Sequence, residues 1–404
     1  MFTFILSVFP LASQESDFSG EAGSQWAAAL RSDNRGDLIL GDTYLKGKFQ
    51  AFYGNSSMYA EGRAGFDAIS DQSYYRLSEI YIDYSGDMWG FRAGRQKAAW
   101  GKADGIDITN VICPKDYSSV SALFEDESLA VDAVRMGFNR GSVSADFYFI
   151  PFYLPASLPQ EKTAGLSSIT LPEKNAKNAE YGLKVSGYFS KCDLSLYGFY
   201  GWEDMPFLSY TLGSEGVQAE ASYKRMAMLG VDAAVPLGET VLRLEGAFFP
   251  QRHFQKNAAF IIEEKTLSAS DPTAPKAQNT LKHNELSALA GVDWTPEGWT
   301  LTAQYFCDYL AGSSGLLERT EKYTHGITLS ISKSLLAETL ELSASGVLNL
   351  NDLDSALELS AEYSLTDSIH LTAGSYIFNE GKNTGTYGGY KDMTSVYVKA
   401  KYVF

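Results

Sequence analysis

From residue 20 to residue 404 the chain is built of segments in which apolar and polar residues take turns, and the gaps between segments take turns in length. Leu357–Leu365 reads Leu-Glu-Leu-Ser-Ala-Glu-Tyr-Ser-Leu, and Trp299–Tyr305 reads Trp-Thr-Leu-Thr-Ala-Gln-Tyr. A strand turns successive side chains to opposite sides, so each segment has a greasy face and a wet face. Soluble sandwiches share that pattern. The gaps discriminate better. Segments fall near 20–31, 41–54, 56–67, 74–85, 88–97, 128–139, 142–152, 179–190, 192–203, 221–236, 239–250, 283–295, 298–310, 321–334, 337–349, 353–365, 368–379 and 393–404, about 18 in all. Connections at 85–87, 139–141, 191, 237–238, 296–298 and 366–367 are short. Those at 98–127, 153–178, 204–220, 251–282, 311–320 and 380–392 are long. Counted back from residue 404, the long ones fall on one end of the strands, opposite both termini. The brief connection at 351–354 is the exception.

The expected fold is therefore all-β: an antiparallel transmembrane β-barrel of about 18 strands, with short periplasmic turns and long extracellular loops. A count of 16 survives if one hairpin is misread. Mean hydropathy is −0.16, too polar for a helical membrane protein. No apolar run approaches 18 residues, so a bilayer can be crossed only by a closed barrel. Aromatic residues are 13% of the chain and glycines number 36, which suits aromatic girdles around a polar interior. No period of 20–50 residues marks a propeller or solenoid. The net charge of −16 argues against nucleic acid as a partner. Cys113, Cys192 and Cys307 are too far apart for a disulfide framework or a zinc pattern. The four histidines have no ligand spacing, and neither cofactor nor metal is expected. Residues 2–12 form a short apolar run that reads as the core of a signal peptide ending near Ala12 or Ser13. Its basic start is missing, as in a truncated leader. The domain reading is a signal peptide at 1–13 and a single outer-membrane barrel at 14–404.

Two stretches carry a resemblance. At the end of the chain Val396, Val398, Ala400, Tyr402 and Phe404 share one face, and Ser395, Tyr397, Lys399 and Lys401 the other. This resembles the closing strand of bacterial outer-membrane barrels, which end on Phe with apolar residues at every second position before it. The resemblance implies recognition by the barrel-assembly machinery and outer-membrane lipid around the wall. The second stretch is 78–101. Its Arg92, Gly94, Arg95, Gln96, Trp100 and Gly101 resemble the Arg-x-Gly-Arg-Gln and Trp-Gly pattern of porin-like families, including alginate-export-type barrels and their uncharacterised relatives. The acidic balance argues against carrying over alginate itself.

A two-residue turn at Gly86-Asp87 pairs Tyr84 with Trp89, Ile82 with Phe91 and Ile80 with Ala93. That register puts Glu79, Tyr81, Asp83, Arg92 and Gln96 inside and sets Glu79 diagonally close to Arg92. Arg95 falls on the lipid side, unless it sits near the outer rim or a bulge at Gly94 turns it inward; it is counted among the pore-lining candidates. Arg243, Glu245, Glu341, Glu358, Glu362, Lys399 and Lys401 complete them. Mixed charges of this kind filter small polar solutes, or merely keep the wall hydrated. Loop 98–127 carries Asp104, Asp107 and Asp116. It is either a constriction folded into the pore, a cation-binding segment, or a solvated surface loop.

The leading functional reading is a porin-like channel in the cell outer membrane for small polar or charged solutes. A surface-displayed adhesin or structural barrel with a plugged lumen is the alternative; Arg35-Gly-Asp37 lies in its first surface loop. A lipid-modifying enzyme would need a Ser or Asp beside His325 at the rim. No catalytic motif is present, so an enzyme is not expected.

Overall fold

The computed structural model describes residues 15–31, 33–103, 105, 106, 108–118, 128–159, 163–213, 216–270, 276–382 and 385–404. The expected leader at 1–13 lies outside them. Strands β1 (Glu15–Ala29), β2 (Leu38–Tyr53), β3 (Ser56–Asp67), β4 (Gln72–Ser85), β5 (Trp89–Gln96), β6 (Val131–Arg140) and β7 (Val143–Ile150) come first. They are followed by β8 (Leu166–Thr170), β9 (Glu180–Tyr188), β10 (Asp193–Trp202), β11 (Phe207–Gly213), β12 (Gly216–Ser222), β13 (Arg225–Leu237) and β14 (Thr240–Gln255). After helix α1 (Ala258–Ser270) come β15 (Thr280–Trp294), β16 (Trp299–Ala311), β17 (Tyr323–Leu335), β18 (Leu340–Asn349), β19 (Ser355–Thr366), β20 (Ile369–Asn379) and β21 (Ser395–Val403). All except β8, β11 and β12 join one 18-stranded antiparallel sheet, which β1 closes by pairing with both β2 and β21. Each expected segment contains one barrel strand. Closure leaves no terminal strand without a neighbour and satisfies most of the backbone in lipid.

The alternation fixes which face meets lipid. Leu45, Leu196, Leu229, Leu244, Leu329 and Val398 are exposed on the outer wall. Aromatics flank this belt. On β16, Trp299 stands near the short-turn end and Tyr309 near the long-loop end. Ten residues at about 3.3 Å each, tilted by about 40°, put these rings about 25 Å apart, the height of the apolar band of an outer-membrane barrel. The closing strand keeps the expected parity: Val396, Val398, Tyr402 and Phe404 are exposed, while Ser395 and Tyr397 are buried inside.

The β4–β5 turn corrects the expected register. Three residues make it, Gly86, Asp87 and Met88, with the Gly86 N–H donating to the Trp89 carbonyl at 2.8 Å. Tyr84 therefore pairs with Phe91, Ile82 with Ala93 and Ile80 with Arg95. The slip is two residues, so every side chain keeps its face.

On the long-loop end, β8, β11 and β12 form a small separate sheet. The segment expected at 221–236 is thus two elements: β12 ends at Ser222 and β13 starts at Arg225. Gln255 ties this sheet to the barrel. Its Oε1 accepts from Leu208 N at 2.8 Å, and its Nε2 donates to Leu208 O at 3.2 Å. The short connection at 350–354 stands where a long loop was expected. Buried Asp354 there accepts from the backbone N–H of Tyr387 at 2.7 Å and pins the neighbouring loop over it.

Candidate permeation site inside the barrel

The chain leaving β5 turns into the lumen. Ala98, Trp100, Ile108, Ile112 and Cys113 are buried and pack on Tyr148, Tyr197, Phe199, Met228, Phe249 and Leu289 of the inner wall. A solvated surface loop is therefore not what this part of 98–127 forms. The apolar residues explain why: Trp100, Ile106, Ile108, Val111 and Ile112 would otherwise stand in water. The wall leaves room for them. A Cβ at Gly182 would lie 3.0 Å from Ile112 and 3.1 Å from Trp100, and one at Gly230 would lie 2.9 Å from Thr109. Gln96, at the end of β5, aims the loop inward by donating to the Ala133 carbonyl at 2.9 Å.

Glu245 on β14 holds the inserted segment. Its carboxylate accepts from the backbone N–H of Lys102, from Ala103 N at 2.5 Å and from Thr109 Oγ1 at 3.2 Å. Arg243 Nη1 donates to the Lys102 carbonyl at 2.8 Å, while its Nε bonds Asp293. Gly101, with φ of +88°, passes so close that a Cβ would lie 2.7 Å from Glu245 Oε1. Only glycine takes that backbone without strain. Its N–H donates to Tyr197 Oη at 3.1 Å, and Tyr197 in turn donates to Asp232. Arg243 and Glu245, expected to line the pore, do face inward, but their polar atoms are engaged with the loop and with Asp293.

The other expected residues divide by position. Arg92 donates to Asp83 at 2.8 Å, not to Glu79, because of the register slip. Its guanidinium lies 4.1 Å from the centre of the Tyr81 ring. Arg135 stands 3.7 Å from Asp83 and 3.8 Å from Asp146, so the charges form a ladder across β4–β7. Glu79 instead accepts from the Lys97 N–H at 2.7 Å. Glu341 lies directly across from Glu362, and Lys399 across from Thr372. Tyr397 donates to Glu358 at 2.7 Å, and Thr372 to Glu362 at 3.2 Å. Lys401 pairs with His370 on the same inner face.

Arg95 divides between the two placements the sequence left open. No register shift occurs at Gly94 and Arg95 keeps the outer parity of its neighbour Asp132, yet it also lines the larger of two cavities. The two form a two-pronged ion pair of 3.0 and 3.2 Å on the outer wall. A paired arginine near the end of its strand avoids most of the penalty that a lone one would meet in lipid. Asp104 and Asp107 lie outside the described residues. Asp116 is buried and accepts from Arg76 at 3.1 Å.

The loop packs on the β6–β15 side, and two cavities lie on the other side. A cavity of about 490 Å³ is lined by Glu21, Lys46, Glu61 and Lys399 among others, and a second of about 440 Å³ by Asp42, Tyr74 and Ser395. Arg63, Arg76 and Asp116 border both, marking where the two meet. Arg63 and Arg76 are direct cross-strand partners on β3 and β4. Arg63 bonds Asp42 at 2.5 Å and lies 3.7 Å from the centre of the Tyr44 ring. Sequence reasoning missed these residues, although the alternation in 41–54 and 56–67 places Lys46, Lys48, Glu61 and Arg63 on one face. Among the described residues no cluster of three or more His, Cys, Asp or Glu is placed to hold a metal. The polar partner of the His325 ring is Tyr305 Oη at 3.0 Å, and both stand on the outer wall. Gly36 of the Arg35-Gly-Asp37 stretch folds back, its N–H donating to the Ala29 carbonyl at 2.9 Å, so the tripeptide forms the β1–β2 turn.

A closed antiparallel barrel with an apolar belt, short turns at one end and a segment inserted into its lumen is an outer-membrane porin fold. Residues 12–399 match the family described as "Protein of unknown function (DUF1302)", and the chain belongs to it. No curated protein matches the chain. Among solved structures it is similar to Pseudomonas aeruginosa OccK8 (OprE), at 8% identity and a TM-score of 0.59, covering 97% of this chain and 99% of that one. Pseudomonas aeruginosa OccK2 (OpdF) matches at 9% identity and a TM-score of 0.55, covering 97% and 98%. Acinetobacter baumannii OccAB1 matches at 8% identity and a TM-score of 0.53, covering 96% and 95%. These likenesses establish the fold.

Proposed function

We propose that the barrel is a passive channel for small polar or charged solutes, with an off-centre path. The observation that carries this is the pair of cavities meeting at Arg63, Arg76 and Asp116, beside the loop packed into the lumen. Solutes move along β1–β4, β20 and β21, and the loop acts as the constriction. Lys46, Arg63, Arg76 and Lys399 line that path, and the acids paired with the first three, Glu61, Asp42 and Asp116, are each more deeply buried than their partners, so the pore favours anions despite the acidic chain. That a structure of OccK2 (OpdF) holds glucuronate, an anionic sugar acid, is consistent with such a preference in a barrel of this fold.

The test is the reversal potential of single channels in a planar bilayer under a salt gradient. Anion selectivity is expected. Replacing Arg63 and Arg76 by Gln should move the reversal potential toward the cation side, and an unchanged value would reject this path. A second reading is favoured by the buried apolar cluster around Trp100: a plugged structural barrel. It requires that folded protein carry no current.

A further inference from the structure

Among the described residues the wall of this barrel has a notch. The β4–β5 ladder stops at the Ile80–Arg95 pair. β4 continues through residues 72–79, about 26 Å at roughly 3.3 Å per residue, paired there with β3 only. Among the described residues no backbone hydrogen bond reaches the other edge of that stretch. The Glu79 carboxylate bridges the foot of the notch, to the Lys97 N–H at 2.7 Å, and on the lumenal side Arg76 reaches Asp116 of the inserted segment at 3.1 Å. A bulge at Ser78 marks the same place, since Glu61 pairs with Glu79 and Gly62 with Leu77. Strand edges bare to lipid leave polar groups unsatisfied, and irregular wall at membrane depth is tolerated where it borders a watery cavity.

Such a cavity is there. The 490 Å³ cavity is lined on one side by the lumenal Glu21, Glu61 and Lys399, and on the other by Leu77, Ser78, Lys97 and Leu129, the residues flanking the notch. Leu77 pairs with Gly62 and shares its outer parity with Tyr75, which is 73% exposed. A residue whose strand position points outward thus borders a space that reaches the lumen. Tyr75 lies toward the long-loop end, so the notch faces the outer leaflet.

We propose that this notch is a lateral opening, through which an amphiphile with an anionic head group moves between the lumen and the outer leaflet. The proposal rests on the channel reading above. The head group has Lys46 and Arg76 to meet in the cavity and Arg95 and Lys97 at the gap, and the Arg76 side chain is 54% exposed. The apolar tail has Leu77 and Leu129 at the gap and the Tyr75 face beyond it. Cations at the cavity and the apolar Leu77, Leu129 and Tyr75 surface beyond it match one occupant, an alkyl chain ending in a carboxylate, sulfonate or similar anion.

The probe is dodecanesulfonate against methanesulfonate, compared as blockers of single-channel current in full-length protein. Dodecanesulfonate should block at a concentration at least about ten-fold lower, because burying two methylenes already supplies that factor. Leu77→Trp, which fills the gap from the outer face, should abolish the chain-length preference. Equal block by the two probes in the native protein would overturn the lateral opening while leaving the channel reading intact. So would a Leu77→Trp variant with the preference unchanged. A second measurement does not depend on current. A spin label at position 77, with Cys192 and Cys307 replaced by Ser and buried Cys113 kept, should be accessible to both oxygen and a water-soluble nickel reagent. A label at Ile82 on the paired wall should meet oxygen alone. Oxygen alone at both positions would also overturn the proposal.

Discussion

Glu245 accepts hydrogen bonds from Lys102, Ala103 and Thr109, 136 to 143 positions away in sequence. A carboxylate that collects backbone N–H groups fixes a segment more firmly than apolar packing alone, since each donor left bare costs about 1–3 kcal/mol. Glu245→Ala is expected to loosen the inserted loop without unfolding the barrel. Cys113 reports on this directly. It is buried at 1% exposure, and burial pushes its thiol up to about 12, so it is inert in the closed state. Maleimide should leave Cys113 unlabelled in the native protein and label it at least about ten-fold faster in the Glu245→Ala variant, the factor given by 1.4 kcal/mol of easier opening. Equal labelling would show that Glu245 does not hold the loop. Gly182→Leu acts on the same contact from the wall side. With a Cβ already 3.0 Å from Ile112, the larger side chain should cost about 1–3 kcal/mol and lower the thermal unfolding midpoint. A midpoint equal to the native one would mean that the loop packs elsewhere.

Elements show where local pattern was enough and where it was not. The alternating faces of β16, β18, β19 and β21 were legible because the side-chain period of two survives any even slip in register. The β4–β5 register was not, because Gly86-Asp87 suits a two-residue turn, and the third residue, Met88, is recruited by accepting from Asn139 N on β6. The placement of loop 98–127 stayed open for a related reason. Its aspartates suit a pore, a cation or a surface alike, while Trp100, Ile108 and Ile112 carry the signal for burial. The partner of Arg95 is Asp132 on the next strand, beyond the reach of any local motif. The closing seam makes its own prediction. Phe404 exchanges backbone hydrogen bonds with Gly20 at 2.8 and 3.0 Å, and a Cβ at Gly20 would lie 2.5 Å from the Phe404 ring. Gly20→Leu should displace that ring and lower the fraction of heat-resistant folded barrel on a cold detergent gel. An unchanged fraction would show that the ring is not needed to close the seam.

For the whole molecule, the strand number and the two ends of the barrel followed from the gaps between alternating segments. The eccentric path did not, because it depends on which half of the wall the inserted loop covers, and that is decided by side chains from β6 to β15 acting together. The proposed channel therefore turns on one quantity, the size of the passage left beside the loop. Single-channel conductance in a planar bilayer measures it most directly. The native barrel should give discrete steps, and deletion of residues 102–113 should raise their height several-fold, as expected when a constriction leaves a barrel of this diameter. Steps of equal height in the two proteins, or no current from folded native protein, would contradict the account.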